Sequence, residues 1–271
     1  MIKYFDTMFT FSKKKKDLPR IPKGQRVYAV GDIHGRADLF AQLVAAIEEE
    51  ILVAAANGVE CQVILLGDLV DRGPDSAGVI DLAKRWAKTR NVRVLCGNHE
   101  EMFLKSFDDK EMLKHFLRHG GRETLMSYGV DRKTFSKLGV GELQALMQDV
   151  VPGKHRKFMA KFEDMIRIGD FVFVHAGIEP GVPLSAQKAR TLRWIREPFL
   201  SHKKSHGAVV VHGHTITDEV VDTGNRIGVD TGAYATGRLT ALVLEGSTRR
   251  YLAAEETKAG AIKIKGAAMG G

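Results

Sequence analysis

The chain has 271 residues and a hydrophobic content of 44%, enough for one large domain or two small ones. Its formal net charge of +8 suits an anionic ligand or partner. The basic residues are scattered rather than gathered on one face, which argues against a nucleic-acid role. The two cysteines, Cys61 and Cys96, imply no disulfide framework, and no apolar segment approaches the ~18 residues of a membrane span.

The first 22 residues predict a flexible basic arm. Phenylalanines at Phe5, Phe9 and Phe11 precede the run from Lys13 to Lys16. A secretory signal has the opposite order, with its charges before its apolar part. We therefore expect a cytoplasmic protein whose residues 1–22 extend into solvent.

Strand and helix patterns alternate after this arm. β-Branched runs at residues 26–30, 63–66 and 92–96 predict buried strands. Between them, residues 37–56 and 75–88 carry apolar side chains at helical spacing. Each strand ends in a polar cluster bounded by glycine, and this order is typical of an α/β sheet with its polar groups at one edge.

The later part of the chain predicts a helical cover and then more strands. Residues 100–168 are rich in Leu, Met and Phe at helical spacing, so we expect several short helices that cover one side of the site. The further strands are expected at 171–174, 208–211, 227–229 and 239–244. These elements define a catalytic domain over residues 23–250, followed by a flexible Gly/Ala/Lys tail over 251–271.

Side chains of metal-ligand type follow five of the predicted strands. They are Asp32, His34, Asp68, Asn98, His99, His175, His212 and His214. Carboxylate, neutral imidazole and amide groups suit a divalent ion such as manganese, iron or zinc. The donors are too numerous for one ion and suitable for two, with Asp68 as the candidate bridge. Two divalent ions carry more positive charge than the two carboxylates, Asp32 and Asp68, can neutralise. The remaining positive charge suits a phosphomonoester dianion.

Five motifs carry a family resemblance. They are Gly31-Asp32-Ile33-His34-Gly35, Gly67-Asp68-Leu69-Val70-Asp71-Arg72-Gly73, Gly97-Asn98-His99-Glu100, His175-Ala176-Gly177 and Gly213-His214-Thr215. Their order and spacing resemble the metal-dependent phosphoprotein phosphatases of the calcineurin-like metallophosphoesterase superfamily, in the compact bacterial branch typified by the lambda phage phosphatase. The resemblance covers about residues 26–246. It implies a mixed α/β four-layer sandwich, in which two mixed sheets are flanked by helices.

The resemblance also implies two bound divalent ions, with manganese as the expected metal and iron or zinc as alternatives. The implied ligands are Asp32 and His34 for the first ion, Asn98, His175 and His214 for the second, and Asp68 for both. His212 is then left beside the strand end, either as a neighbour of the ligands or with its role exchanged with that of His214.

The resemblance implies a catalytic set as well. His99 would protonate the leaving alkoxide, Asp71 would orient His99, and Arg72 would bind the phosphate. Arg196, within Trp194-Ile195-Arg196-Glu197, would be the second phosphate arginine. The implied activity is hydrolysis of phosphoprotein or phosphopeptide, at serine/threonine or with dual specificity, by in-line attack of a hydroxide held between the ions.

Two other functions stay open at this point. Symmetrical dinucleoside tetraphosphatases share the fold but tend to depart from Asp71-Arg72-Gly73 and from Glu100, both of which this chain keeps. A catalytically inactive, metal-stabilised scaffold would have lost at least one member of the donor set. Ile216 stands where many diester-cleaving relatives have a further metal-binding histidine, which favours a monoesterase.

Overall fold

The computed structural model describes residues 18–268, which form eleven strands and ten α-helices. The strands are β1 (Gln25–Val30), β2 (Glu60–Leu65), β3 (Val92–Val94), β4 (Met165–Ile168), β5 (Phe171–Val174), β6 (Val209–His212), β7 (Val221–Asp222), β8 (Arg226–Gly228), β9 (Arg238–Glu245), β10 (Thr248–Glu256) and β11 (Ile262–Ala268). The helices are α1 (Ala37–Ala56), α2 (Ser76–Thr89), α3 (Asn98–Lys105), α4 (Lys110–Phe116), α5 (Arg122–Ser127), α6 (Arg132–Lys137), α7 (Val140–Val150), α8 (Gly153–Met159), α9 (Ala189–Trp194) and α10 (Ala233–Thr236).

The strands form two mixed sheets. The first has the order β11-β10-β9-β1-β2-β3, in which β1, β2 and β3 are parallel and the other pairs antiparallel. The second has the order β4-β5-β6-β8-β7, with a parallel centre and antiparallel edges. The predicted mixed α/β architecture is confirmed.

Alternation along the central strands builds the layers. In β1, Tyr28 and Val30 pack against the helices, whereas Val27 and Ala29 face the second sheet. Helix α1 covers the first sheet with Leu39, Leu43, Ile47 and Ile51, which lie four residues apart on one face. The outer face of the second sheet packs against Leu192 of α9 and against Phe199.

Most of the helices from α3 to α8 pack on one another and on α2. Phe103, Phe116, Leu125 and Leu143 join the same core as α1 and α2. The last four residues of the predicted helical range, Met165–Ile168, form β4 instead. They pair antiparallel with β5, and that ladder satisfies their backbone groups.

The predicted arm ends earlier than the sequence indicated. Residues 1–17 lie outside the described residues, but Ile21 is only 1% exposed and packs between the sheets. Its backbone N–H donates to the carbonyl of Gly246, and that of Arg20 donates to the Asp170 carboxylate. Residues 20–22 therefore belong to the domain, because Ile21 closes one end of the core.

The prediction of a flexible tail over residues 251–271 was wrong for the part that the structure describes. Strand β10 pairs with β9 on one side and with β11 on the other. Leu252 and Ala254 are buried in the core beneath α1. Small side chains such as that of Ala254 allow this close packing. The same abundance of small residues made the segment resemble a flexible tail in composition. Residues 269–271 lie outside the described range.

None of the helices within residues 18–268 has the length and apolar character that a membrane crossing requires.

The packing of Ile21 predicts a stability difference. Replacing Ile21 with Ala should lower the free energy of unfolding by about 2–5 kcal/mol, because it empties a filled position between the sheets. Leu18→Ala is the matched control: Leu18 is 65% exposed, so its truncation should change stability by no more than about 0.5 kcal/mol. Urea unfolding measures both, and equal effects would contradict the docking of this segment.

Candidate metal centre

The predicted metal ligands converge at the carboxyl ends of neighbouring strands. Each lies just beyond a strand end: Asp32 and His34 after β1, Asp68 after β2, Asn98 after β3, His175 after β5 and His214 after β6. All six are buried, with exposures of 8% or less. A sheet edge gathers these side chains because parallel strands end together there.

Asp68 lies at the centre of this cluster. Potential ligand atoms of Asp68, His34 and His99 lie within 4.8 Å of one another, and so do those of Asp68, His175 and His214. Oδ2 of Asp68 is 3.6 Å from Nε2 of His34 and 3.4 Å from Nε2 of His175. Two ligand atoms that each lie about 2.0–2.2 Å from one tetrahedral ion are about 3.4 Å from each other, close to the distances observed here. The two groups can therefore hold an ion each and share this carboxylate.

Asn98 and Asp32 adjoin these two groups. Oδ1 of Asn98 is 3.1 Å from Nε2 of His175. The Asp32 carboxylate accepts the backbone N–H of His214, at 3.2 Å and 3.0 Å for its two oxygens. The structure thus brings all six predicted ligands into one cluster.

Backbone carbonyls set the tautomers of two histidines. Nδ1 of His34 donates to the carbonyl of Val70, and Nδ1 of His175 donates to that of Leu66, both at 2.8 Å. Nε2 of each ring is then the nitrogen left for a metal ion or for a second proton, and it is the one that faces Asp68. Such hydrogen bonds orient histidines that bind metals.

The electrostatics of the cluster fit a cation. Burial lowers the pKa of His34 and of His214 to about 3, so both rings are neutral. Nε2 of His214 is buried without a hydrogen-bond partner, a costly state that a metal ion would relieve. Burial alone would lower the pKa of His175, but the Asp68 and Asp32 carboxylates raise it to about 10. The buried carboxylates therefore favour positive charge at this position, whether it is a proton on His175 or a bound cation.

Backbone strain is concentrated at the same place. Among the described residues, every non-glycine residue with a positive φ belongs to this site. They are His34 (44°), Asp68 (49°), Asp71 (76°), Arg72 (70°) and His214 (65°). Conformations of this kind cost of order 1–3 kcal/mol each and persist only where the surroundings enforce them. Two glycines permit the close approach: a Cβ at Gly97 would lie 2.1 Å from Asp68, and one at Gly213 would lie 2.1 Å from Asp32.

Glu100 holds the strained turn in place. Oε2 accepts the backbone N–H groups of Asp68 and Gly97, both at 2.9 Å. Oε1 accepts those of Leu69 and Val70, at 2.7 Å and 3.3 Å. The sequence marked Glu100 only as a motif residue. Its role in fixing the loop depends on side-chain contacts that a pattern does not contain.

The predicted catalytic residues lie beside the shared carboxylate. Nδ1 of His99 is 2.6 Å from Oδ2 of Asp71, and Nε2 is 4.0 Å from Oδ2 of Asp68. Burial opposes a charge on His99, but Asp68 and Asp71 outweigh it and raise the pKa of His99 above its ordinary value. Nη2 of Arg72 donates to Nε2 of His99 at 3.0 Å.

Arg196 lies at the rim of the cluster. Its side chain is exposed, and Nη2 donates to the carbonyl of His214 at 3.3 Å. His212 points elsewhere: its ring packs on Phe199 at 5.1 Å, and Nε2 lies 3.4 Å from Nη1 of Arg226. His212 belongs to neither ligand group among the described residues.

Sequence reasoning missed three neighbours of the site. The Tyr234 ring lies 4.7 Å from the Arg72 guanidinium carbon and 5.3 Å from the His34 ring. Asp230 is 2% exposed, and its charge helps burial to raise the pKa of Asp32. Asp230 lies two residues after β8 and two before Gly232, a strand-end position similar to those of the predicted ligands. Thr124, on α5, contacts Asp71 and carried no signal of its own.

Comparison with known proteins assigns the family. Residues 25–240 match the family described as calcineurin-like phosphoesterase. The chain belongs to that family. It is therefore a metal-dependent phosphoester hydrolase, and its buried Asp and His groups suit divalent ions.

Relatives within the calcineurin-like phosphoesterases carry more than one activity. The chain is 25% identical to an asymmetrical bis(5'-nucleosyl)-tetraphosphatase, PrpE, of Anoxybacillus flavithermus, over 79% of this chain and 88% of the relative. It is 27% identical to serine/threonine-protein phosphatase 1 of Salmonella typhimurium, over 80% and 90%. A cold-active protein-tyrosine phosphatase of a psychrophilic Shewanella species shares the fold, with a TM-score of 0.55 and 16% identity over 94% and 88% of the two chains.

The orientations of His214 and His212 predict different effects on metal binding. Loss of a ligand's outer partner already costs roughly 10–100-fold in metal affinity, so His214→Ala should weaken Mn²⁺ binding by more than about 100-fold. His212→Ala should bind Mn²⁺ with an affinity close to that of the wild type. Calorimetric titration measures both, with thermal unfolding as a check of the fold. Equal losses would contradict the separation of the two histidines.

Proposed function

We propose that this calcineurin-like phosphoesterase is a protein phosphatase that hydrolyses phosphoserine and phosphothreonine with two divalent ions, manganese first among the metals that its ligands suit. In this proposal Asp32 and His34 hold one ion, Asn98, His175 and His214 hold the other, and Asp68 holds both. Ions bound there would activate water and neutralise charge on the phosphoryl group. The observation that carries the proposal is the buried His99–Asp71 pair beside Asp68.

The two arginines supply phosphate recognition. Arg72 now donates to Nε2 of His99 at 3.0 Å, while Tyr234 supports its other face. A phosphate dianion offers stronger acceptors than a neutral imidazole. Substrate binding would therefore draw Arg72 onto the phosphate and leave Nε2 of His99 free to carry a proton. Arg196, at the rim beside His214, would hold a second phosphate oxygen.

The His99–Asp71 pair favours ester cleavage. Hydrolysis of phosphoserine or phosphothreonine expels an alkoxide, a strong base that needs a proton as the P–O bond breaks. Cleavage of a dinucleoside tetraphosphate expels a nucleotide phosphate, a much weaker base with less need of an acid. The acid here is fully assembled, with His99 1% exposed and Asp71 0% exposed.

Dinucleoside tetraphosphate hydrolysis is the second candidate. It is supported by the PrpE relatives at 24–26% identity and by the half-exposed ring of Tyr234 at the site, which could stack on a base. Both cleavage modes belong to this candidate: asymmetrical cleavage yields ATP and AMP, and symmetrical cleavage yields two ADP.

A direct comparison of substrates separates the two functions. The manganese-loaded protein is assayed with a phosphothreonine peptide and with diadenosine tetraphosphate at equal concentration, and the products are resolved by chromatography. We expect faster phosphate release from the peptide, and its loss in Asp68→Asn. Faster cleavage of the dinucleotide would move the function to nucleotide turnover. No activity on either substrate by a protein with bound metal would support the scaffold alternative.

The role of His99 predicts a selective loss of turnover. His99→Asn should lower kcat on a phosphothreonine peptide by roughly 10²–10⁴-fold, because no group then protonates the leaving oxygen. Metal content, measured by mass spectrometry, should stay close to that of the wild type, since Asp71 engages Nδ1 of His99 and Arg72 engages Nε2. Loss of metal in this variant would show that His99 is a ligand.

A further inference from the structure

The Asp71 carboxylate has a second partner besides His99. Its Oδ2 meets Nδ1 of His99 at 2.6 Å, and its Oδ1 accepts the hydroxyl of Thr124, also at 2.6 Å. Thr124 is 0% exposed, as is Asp71. Thr124 lies on α5, in the helical cover and 53 positions away in the chain. The buried hydroxyl of Thr124 therefore connects the helical cover to the His99–Asp71 pair.

The hydrogen atoms around Thr124 can be assigned by counting donors. A threonine hydroxyl has a single hydrogen, and that of Thr124 is used by Oδ1 of Asp71. Ser76, whose Oγ lies 3.0 Å from Oγ1 of Thr124, must then be the donor between the two hydroxyls. The backbone N–H of Asp71 donates to both, at 3.0 Å to Ser76 and 2.9 Å to Thr124. These assignments complete a network in which the carboxylate accepts one hydrogen bond on each oxygen.

Residues of the helical cover and of α2 also hold the strained backbone at Asp71 and Arg72. Asp71 and Arg72 have φ values of 76° and 70°, which non-glycine residues adopt only where the surroundings enforce them. The backbone N–H of Asp71 is held by Thr124 and Ser76, and that of Arg72 donates to the carbonyl of Gly120 at 3.1 Å. A Cβ at Gly120 would lie 2.6 Å from that nitrogen, so only glycine permits the contact. The turn that contains Asp71 is therefore held in place by hydrogen bonds to Thr124 and Gly120 of the helical cover.

We propose that Thr124 is a positioning residue for protonation of the leaving group. Its hydroxyl fixes the rotation of the Asp71 carboxylate, and the carboxylate in turn holds the His99 ring with Nε2 toward the substrate. This inference rests on the proposed function of His99. In that step the attacking hydroxide forms a new P–O bond as the ester P–O bond breaks. The electron pair of the broken bond stays on the leaving oxygen, which takes the Nε2 proton of His99, and Asp71 remains ionised.

Leaving-group dependence tests the inference. Thr124→Val keeps the shape of the side chain but removes the hydroxyl, so the acid should be misplaced and alkyl phosphates should suffer most. We expect kcat for a phosphothreonine peptide to fall roughly 10–100-fold, with KM little changed. For p-nitrophenyl phosphate, whose leaving group is stable as an anion, kcat should fall by no more than about threefold. Thr124→Ser, which restores the hydroxyl, should recover the activity on the peptide.

Two controls separate positioning from a general effect on the fold. Ser127→Ala removes another hydroxyl from α5, one that bonds to Ala77 and to the carbonyl of Thr124 but not to Asp71. It should leave the ratio of the two activities unchanged. If Thr124→Val proves unstable in thermal unfolding, Thr124→Cys replaces it, because a thiol is a weak donor of similar size. Equal losses on both substrates would overturn the positioning role.

The His99→Asn variant distinguishes failure of this inference from failure of the proposed function. If His99→Asn loses activity equally on both substrates, the acid role is wrong and the inference falls with it. If His99→Asn shows the leaving-group dependence and Thr124→Val does not, only the inference is overturned. Thr124→Val added to His99→Asn should cause no further loss on the peptide, because both changes remove the same step.

Discussion

The carboxylate of Asp68 is the contact on which the rest of the site depends. It faces Nε2 of His34 on one side and Nε2 of His175 on the other, and it receives the backbone N–H of His99. A buried carboxylate among histidines requires compensating positive charge. The surrounding backbone is arranged to meet that requirement, with tautomers set by carbonyls and glycines where a side chain would collide.

Two separate sets of hydrogen bonds stabilise the strained backbone of the site. Glu100 binds four backbone N–H groups of the adjoining loops from below, and the helical cover binds the Asp71–Arg72 turn through Thr124 and Gly120. The proposed ligands follow strand ends, and His99 lies at the start of α3, but the turn between them is held by segments distant in sequence. Precise geometry of this kind needs a second layer of contacts around the reacting groups.

The ligand set could be predicted because it repeats one local pattern. A β-rich run, a glycine and a polar side chain recur at Asp32, Asp68, Asn98, His175 and His214, and parallel strands bring such ends together. The rest could not be predicted in this way. The hydroxyl of Thr124 lies in the middle of a short helix, and Tyr234 lies in the four-residue helix α10. The alanines of β10 resembled a tail because composition does not reveal which small residues have a helix above them.

By itself, the sequence determined the α/β alternation, the family resemblance and the strand-end donors from which the six proposed ligands were chosen, since these depend on short-range patterns of hydrophobicity, glycine and ligand chemistry. Only the tertiary structure decided which of His212 and His214 faces the cluster, because neighbouring positions with similar surroundings differ only in the direction of the side chain. It also decided that Ile21 and strands β10 and β11 complete the domain. Their burial arises from contacts with β9, α1 and the second sheet, and contacts between segments distant in the chain leave no local trace in the sequence.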